Sequence, residues 1–435
     1  MRICLLINAW LVVVASASVC QAADARFLDD RAAVARVFEL LDERLSVMPD
    51  VAAYKWSRNA AIADPKREQV VIQNAVERAA PLGLEANGIR NLFDLQIRLA
   101  RDAQSGLHDR WRQDRLQANR AVPGFESVDL DKTIRPKLDR ITPELIAGLY
   151  LAGAELARED FGSRYASLAA EKLSTPRWSD GARHETLSAL SAIRLIAAPA
   201  LDRIRAAGVI RIGTTGDYAP FTLLSGESLA GSDIELAGSL AEKLGARPVF
   251  VRTTWASLMS DLAAYKFDIA LGGVSITPAR QAAAAFSIPY TTGGKTILSR
   301  CRNARRYATL AAVDRRGVRV IVNPGGTNEQ FARDHIHRAN VRVFPDNRTI
   351  FDEIRNGRAD VMITDDVEVE LQTYRHKELC RPFRGTFTQS DKAILVSRDD
   401  SGVAPLLVAV NDWLAPEVEA GRPARLIEQF LHAPP

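Results

Sequence analysis

Apolar residues recur with two different periods along this chain. From Ala25 to about Ile196 the spacing is helical: Val34, Val37, Phe38, Leu41 and Leu45 fall on one face of a first helix. Pro49 ends or kinks it. Asp64-Pro65 reads as a new start, an Asp cap followed by proline in the first turn. Pro81 and Gly83 punctuate next. A long helix is expected from about Glu85 to Gln113, with Ile89, Leu92, Phe93, Ile97 and Ala100 inward, and Pro143-Glu144 opens another that runs to about Arg158. No convincing strand pattern interrupts this half, which predicts an all-α bundle.

Near Ala198-Pro199-Ala200 the pattern changes. Short β-rich runs (Val209–Gly213, Arg247–Arg252, Phe267–Val274, Val318–Asn323, Val341–Phe344, Asp360–Thr364 and Ala393–Ser397) alternate with helical stretches. That alternation predicts an α/β architecture with mostly parallel sheets, and its length suits two small lobes with a cleft between them. A chain of 435 residues is too long for one ordinary domain, which agrees with two.

Charge changes this picture little. The net charge is +4, with no Lys/Arg run interleaved with aromatics, so nothing supports nucleic-acid binding. The N-terminus adds more. Arg2 precedes an apolar run from Ile3 to Val14, broken only by Asn8 and followed by small residues up to Ala22-Ala23. This predicts a cleavable signal peptide over 1–22 and export to the periplasm. A short membrane anchor, or lipoprotein processing at Cys20 after the poorly matching Ala17-Ser18-Val19, are the alternatives. No later segment is apolar enough to cross a membrane. Cys4 and Cys20 leave with the leader. Cys301 and Cys380 remain, an even pair that reads as one disulfide in an oxidising compartment, with two unlinked buried thiols as the alternative. Six histidines without ligand spacing predict no metal and no cofactor.

In the helical half, Glu43-Arg44-Leu45, Tyr54-Lys55-Trp56, Arg67-Glu68 and Phe93-Asp94-Leu95-Gln96-Ile97-Arg98 stand out, with Gln96, Ala100 and Gln104 stacked on one otherwise apolar face. Buried glutamines ask for polar partners. As a set, over roughly Ala25 to Tyr165, these residues resemble the secreted (γ-class) chorismate mutases. The resemblance implies that Arg44, Arg67 and Arg135 bind the substrate's carboxylates, and that Lys55 reaches a carboxylate and the breaking ether oxygen. It also implies that Glu68, with Asp64, takes the substrate hydroxyl. Such a site needs no nucleophile: it holds a dianion folded and stabilises the charge growing on the ether oxygen. Arginine forks suit the carboxylates. Gln104 would give the ether oxygen its second hydrogen bond. Some secreted relatives carry there a glutamate that must be protonated, so an amide predicts a mutase active well above neutral pH. Ala100 departs from the hydroxyl residue usual at its position.

In the α/β half, the strand Val209–Gly213 leads into Gly213-Thr214-Thr215-Gly216-Asp217-Tyr218-Ala219-Pro220-Phe221, and Gly231-Ser232-Asp233 opens a helix. Phe267-Asp268-Ile269-Ala270, Thr277-Pro278-Ala279-Arg280 and Phe286-Ser287-Ile288-Pro289-Tyr290 follow. From Leu201 nearly to the C-terminus this succession resembles the periplasmic receptors for polar amino acids. There Arg280 would clamp a ligand carboxylate and Asp365 would face an α-amino group. Gly293-Gly294-Lys295, the run from Val322 to Glu329, Phe344-Pro345-Asp346-Asn347 and Thr364-Asp365-Asp366-Val367-Glu368 are similar to the cyclohexadienyl dehydratases. That resemblance implies Glu368 as general acid, Lys295 and Asn323 positioning the ring carboxylate and hydroxyl, Asp217 and Thr327 in the substrate-binding set, and a Cys301–Cys380 pair. A carboxyl acid must stay protonated near neutral pH, which needs burial or a like-charged neighbour. The Gly325-Gly326-Thr327-Asn328 turn offers backbone N–H groups at a helix start.

These resemblances imply a multidomain, bifunctional enzyme of phenylalanine biosynthesis. An all-α mutase over 23–197 would be joined by a linker at 198–204 to a two-lobed, periplasmic-binding-protein-like dehydratase over 205–435. Chorismate would become prephenate, then phenylpyruvate, or arogenate would become phenylalanine. The other reading is a mutase fused to a non-catalytic receptor for an aromatic or amino-acid ligand. The expected partners are small-molecule substrates, with no nucleic acid and no membrane after leader removal. A homo-oligomer is left open, as are feedback control and channelling.

Overall fold

The computed structural model describes residues 25–118, 129–176, 178–196, 198–398 and 405–433. The expected signal peptide and Cys20 lie outside them. Among the described residues, no helix is long and apolar enough to cross a membrane.

The first half is helical. Helix α1 (Asp30–Ser46) buries Val34, Val37, Phe38, Leu41 and Leu45, and Asp29 caps its start by accepting from the Ala32 N–H. It stops before Pro49, which falls in the first turn of α2 (Met48–Ser57). Helix α3 (Pro65–Ala79) begins as the sequence predicts, with Asp64 accepting from the Arg67 N–H. The Asp64 N–H donates back to Glu68, 3.2 Å, completing a capping box. Helix α4 (Ala86–Ala118) is the long one and runs past the expected end at Gln113.

Helix α5 departs from expectation. It spans Arg135–Leu156 and carries Pro143 inside instead of beginning there. Two features upstream set the earlier start. Pro136 occupies its first turn, and Asp129 caps the wide turn Leu130–Ile134 that leads into it. Helices α6 (Phe161–Lys172) and α7 (Asp180–Ser191) complete the bundle. Helix α8 (Ala200–Ala207) covers most of the segment read as a linker and sinks Leu201 and Ile204 into the core of the next unit.

The second half forms two lobes. The first is a sheet ordered Arg247–Arg252, Val209–Thr214, Ile269–Ala270, Leu395–Val396, Ala285–Phe286; the second is ordered Asn340–Val343, Arg319–Val322, Val361–Asp365, Lys295–Arg300, Leu379–Cys380. Three neighbouring strands in each run parallel, and the other pairings are antiparallel. The run expected as a strand over Phe267–Val274 is one only at Ile269–Ala270. Gly272 and Gly273 then take φ of 137° and 66°, and the backbone leaves the sheet. The sequence pattern misses the strand Lys295–Arg300, although it is buried along almost its whole length. Lys295, Thr296 and Ser299 interrupt its apolar run, and each has a partner inside the lobe. Cys301 and Cys380 form the disulfide, Cα–Cα 4.8 Å, beside the edge pairing of that strand.

The helical half is fastened to the first lobe through a buried ion cluster. The Asp268 carboxylate, fully buried, accepts from the Arg211 backbone N–H at 2.9 Å, from both ends of the Arg211 guanidinium at 2.8 and 3.3 Å, and from Arg203 at 3.2 Å. Tyr150 of α5 brings its hydroxyl to 3.4 Å from both carboxylate oxygens and its ring to 4.2 Å from the Arg211 cation. Burial opposes the charge on Asp268, but the two guanidiniums outweigh it and hold the carboxyl below the usual carboxylate range. The N-terminal segment adds a second fastening. Arg26 and Phe27 make β-bridges to Ser228 and Phe250, and the Leu28 N–H donates to the Phe250 carbonyl, 2.7 Å.

Candidate functional site

The larger constellation lies in the cleft between the lobes. Arg280, Asn323, Thr327, Asp365 and Glu368, all singled out in the sequence, line one cavity. Arg280 comes from a short helix of the first lobe that Thr277 caps; its guanidinium donates to the Ser275 carbonyl, 2.9 Å. Asp365 ends the strand Val361–Asp365, and Glu368 stands in the first turn of the helix Asp366–Arg375. Lys295 sits just behind the cavity wall, donating to Thr327 at 2.8 Å and to Asp365 at 2.6 Å. Asp217 accepts from the Trp255 indole, 3.2 Å, and its backbone carbonyl accepts from Asn347 across the cleft, 2.9 Å.

Electrostatics separate the two acidic residues. Glu368 is buried and lifted to about pKa 8, first by burial and further by the nearby Asp365 charge, against the hydrogen bond from Thr364. At neutral pH it is a neutral acid. Burial also disfavours charge on Asp365, but Lys295 and Lys392 outweigh it and hold that carboxyl well below the usual range. Two carboxyls three positions apart therefore stand in opposite protonation states. A relay orients the acid: the Asn328 amide donates to the Thr364 hydroxyl, 3.0 Å, and that hydroxyl donates to Glu368. Asn328 also holds the Asn323 carbonyl at 2.7 Å. Asn328 Oδ1 and Asn347 Oδ1 are buried without a hydrogen-bond partner beside the cavity, acceptors left for a ligand donor.

Sequence reasoning missed Lys392. It donates to Asp365 at 2.7 Å and to the Ser275 hydroxyl at 2.8 Å. A lysine next to the apolar run Ala393–Ser397 was the signal available, since a buried ammonium demands a partner. Tyr218 also lacked a role in the sequence; its hydroxyl crosses the cleft to Asp365.

Asp365, expected to face a ligand ammonium, lines the cavity and accepts from Lys295 at one oxygen and from Lys392 and Tyr218 at the other. A wall supports this arrangement: Asp233 accepts from the Gly272 and Gly273 N–H groups, 2.8 Å each, and from the Tyr290 hydroxyl, 2.6 Å. A side chain at Gly273 would drive into Phe221 and Tyr218 at 2.5–2.6 Å, so glycine is required there.

The helical half gathers part of its predicted set. Arg44 is partly buried, with its guanidinium 3.2 Å from the Thr142 hydroxyl and 5.2 Å from the Phe93 ring centroid. Among the described residues no carboxylate pairs with it, and burial pushes it down to about pKa 10, still charged at neutral pH. Lys55 donates to the Ile62 carbonyl, 2.5 Å; burial lowers its pKa while Asp64 and Glu68 pull it up. The Gln104 amide donates to the Ala100 carbonyl at 3.0 Å, leaving its own carbonyl buried and unpartnered; Gln96 Nε2 is unpartnered too.

Four residues stand differently from expectation. Glu68 is engaged by Arg101 of α4 (Nε–O 2.8 Å), a cation that sequence reasoning did not single out. Asp64 is occupied by the α3 cap. Arg67 and Arg135 are exposed, and Arg135 pairs with Asp131 one turn before it instead of turning inward.

Residues 210–433 match the family of bacterial extracellular solute-binding proteins, family 3, and residues 35–105 match chorismate mutase type II. The cyclohexadienyl dehydratase of Pseudomonas aeruginosa is 45% identical over 233 residues, covering 53% of this chain and 85% of that protein. The chain belongs to the cyclohexadienyl dehydratases. They share the solute-binding scaffold: the L-cystine-binding protein TcyJ of Escherichia coli is 28% identical over 54% of this chain and 86% of its own length. Among solved structures, an ancestral amino-acid-binding protein described as a precursor of cyclohexadienyl dehydratase is 34% identical, with a TM-score of 0.49 over 54% of this chain and 100% of that one. The matches to the Pseudomonas aeruginosa and Escherichia coli relatives cover 53% and 54% of this chain.

Proposed function

We propose that this chain converts chorismate to prephenate in its helical half and prephenate or arogenate to the aromatic product in its cleft. It is a mutase and a dehydratase of phenylalanine biosynthesis. The observation that carries the dehydratase half is the buried neutral acid Glu368 beside the ionised Asp365. A receptor needs no protonated carboxyl in its cleft; expulsion of a ring hydroxyl does.

In the proposed step Arg280 holds the side-chain carboxylate, and Asn323 with Lys295 sets the ring. Glu368 gives its proton to the departing hydroxyl, which leaves as water. The electron pair of the bond to the ring carboxylate enters the ring, carbon dioxide departs, and Glu368 is left as the carboxylate to be reprotonated from solvent. Thr364, fixed by Asn328, steadies that carboxylate. For the mutase, Arg44 supplies the uncompensated cation for a substrate carboxylate. Gln104 turns its amide N–H groups to the ether oxygen together with Lys55. Arg67 and Arg135 close on the substrate from the surface, and Glu68 with Asp64 receives its hydroxyl.

The proposed organisation is a leader over 1–22 directing export to the periplasm, a mutase domain over 23–197 and a dehydratase domain over 205–435. The change from helices to sheets around α8 supports the boundary. The test is product analysis: mature protein with chorismate at pH 7.5 against an enzyme-free control. Phenylpyruvate as the end product sustains both activities. Accumulating prephenate reduces the claim to the mutase.

The two activities should part company in alkali. Glu368 acts in its protonated form, so dehydratase kcat/KM should hold below about pH 8 and fall as pH rises through its pKa. Gln104 does not titrate, so mutase activity should persist beyond that point. Parallel pH profiles for chorismate loss and phenylpyruvate formation check this; a joint decline between pH 6 and 8 would sink it.

A further inference from the structure

We propose that Arg101 is a positioning residue of the mutase half: it fixes the Glu68 carboxylate so that one acceptor site is left for the substrate hydroxyl. The inference rests on the mutase reading, in which Glu68 receives that hydroxyl. It goes further by naming the group that prepares Glu68 for the task and the oxygen that performs it.

Glu68 stands in the first turn of α3, and Arg101 lies 33 residues away on α4. Arg101 Nε donates to Glu68 Oε1 at 2.8 Å, and its Nη2 donates to Oε2. The Asp64 N–H also donates to Oε1, 3.2 Å. An ionised carboxylate offers about four acceptor sites, two on each oxygen. Oε1 is therefore full, and Oε2 has one site left. Two N–H groups of a guanidinium against two carboxylate oxygens also fix the plane of the carboxylate. A substrate hydroxyl held by Glu68 must come to Oε2. The side chains are 18% exposed for Glu68 and 40% for Arg101, so the cation is the outer member of the pair.

The pair belongs with the mutase set. Arg101 and Gln104 are three positions apart on α4 and so are neighbours on its surface. Lys55 of α2 feels both charges: burial lowers its pKa, Asp64 and Glu68 pull it up, and Arg101 pushes it down. The groups assigned to the substrate hydroxyl and ether oxygen, Glu68, Lys55 and Gln104, thus each have Arg101 as a neighbour. An ion pair this exposed adds little to stability. Its effect on Glu68 is larger. Hydrogen bonds from Arg101 are the first cause that holds this carboxyl below its usual range. The Asp64 N–H and the charges of Arg101 and Lys55 add to them, against partial burial. Glu68 serves as acceptor in its ionised form, so its contribution holds above its pKa and is lost as pH falls through it. Arg101 keeps that loss far into acid; without Arg101 it moves to higher pH.

The experiment follows initial chorismate loss by the mature full-length protein from pH 7.5 to pH 4. Wild type is compared with Arg101→Met, Arg101→Lys and Glu68→Gln, and circular dichroism confirms the fold at each pH. Wild-type kcat/KM should stay flat down to about pH 4. In Arg101→Met at pH 7.5, KM should rise about tenfold with kcat within about threefold, the mark of a lost binding contact. An acid limb should also appear in that variant between about pH 4 and 5.5. Arg101→Lys keeps the charge and should restore the flat profile. Glu68→Gln does not titrate and should show a raised KM without a limb. An Arg101→Met profile as flat as that of wild type overturns the inference and leaves the role of Glu68 standing. An Arg101→Lys profile no better than that of Arg101→Met also overturns it. A Glu68→Gln variant equal to wild type removes the role of Glu68 and the inference together, with the mutase reading intact. No chorismate loss by wild type overturns that reading as well.

Discussion

Replacing Glu368 by Gln should lower dehydratase kcat by about 10²–10⁴-fold, the usual contribution of a general acid, while chorismate is still consumed and prephenate accumulates. The substitution nearly preserves shape. Its carbonyl can still accept from Thr364, so the relay through Asn328 stays in place and only the transferable proton is lost. The residual rate should also lose its fall above about pH 8, because the group that titrates there is gone. Initial rates of phenylpyruvate formation from added prephenate, across pH 6.5–9.5, decide the matter. A variant within threefold of wild type would mean that the proton comes from another group, and Glu368 would revert to a buried structural acid.

The second large effect is on stability. Asp268→Asn should cost about 3–5 kcal/mol, the usual penalty for breaking a buried ion pair by removing one partner. Arg203 and Arg211 would be left buried without an anion, each 3% exposed in the folded chain. The pH dependence has a definite sign. The Asp268 carboxyl lies below its usual range in the folded state, so its stabilisation is complete above about pH 4 and fades as pH falls from there toward the folded value. The stability gap between wild type and variant should therefore narrow in acid. Urea unfolding followed by circular dichroism at pH 7 and at about pH 2.5 measures both. Because Tyr150 of the mutase half contacts the same carboxylate, the helical and mixed transitions should shift together. A shift confined to one of them would show that the fastening is not cooperative.

The sequence made the architecture largely readable because each half carries its own period. The face of α1 and the caps at Asp64 and Thr277 follow from local rules that the tertiary structure does not override. The places where reading failed share a cause. The strand Lys295–Arg300 and the lysine at 392 are polar residues in positions that only long-range partners make tolerable. Periodicity assigns polar side chains to the surface, so a buried polar strand is invisible to it. The same limit applied to Asp365. The resemblance places a carboxylate at the strand end, but nothing in its neighbours along the chain reveals that residues 27 positions later and 70 earlier already occupy it. Arg101 was missed likewise, since its partner Glu68 lies 33 residues away on another helix. Pro143 misled in the opposite direction: a helix-start signal was overruled by the stronger one at Pro136.

The strap at Ala25–Leu28 bears on the order in which the chain assembles. Its partners are Ser228 and Phe250, and the Leu229 N–H closes on the Ala25 carbonyl at 2.6 Å. This N-terminal strap is thus bound to strands made about two hundred residues later in the chain. The bundle, rich in contacts between nearby helices, can form while the rest of the chain is still being delivered. The strap cannot, and its closure should await the first lobe. Pulse-labelling hydrogen exchange during refolding would show the Leu28 amide protected only with the strand Arg247–Arg252, well after the amides of α1. Simultaneous protection of Leu28 and α1 would rule that order out.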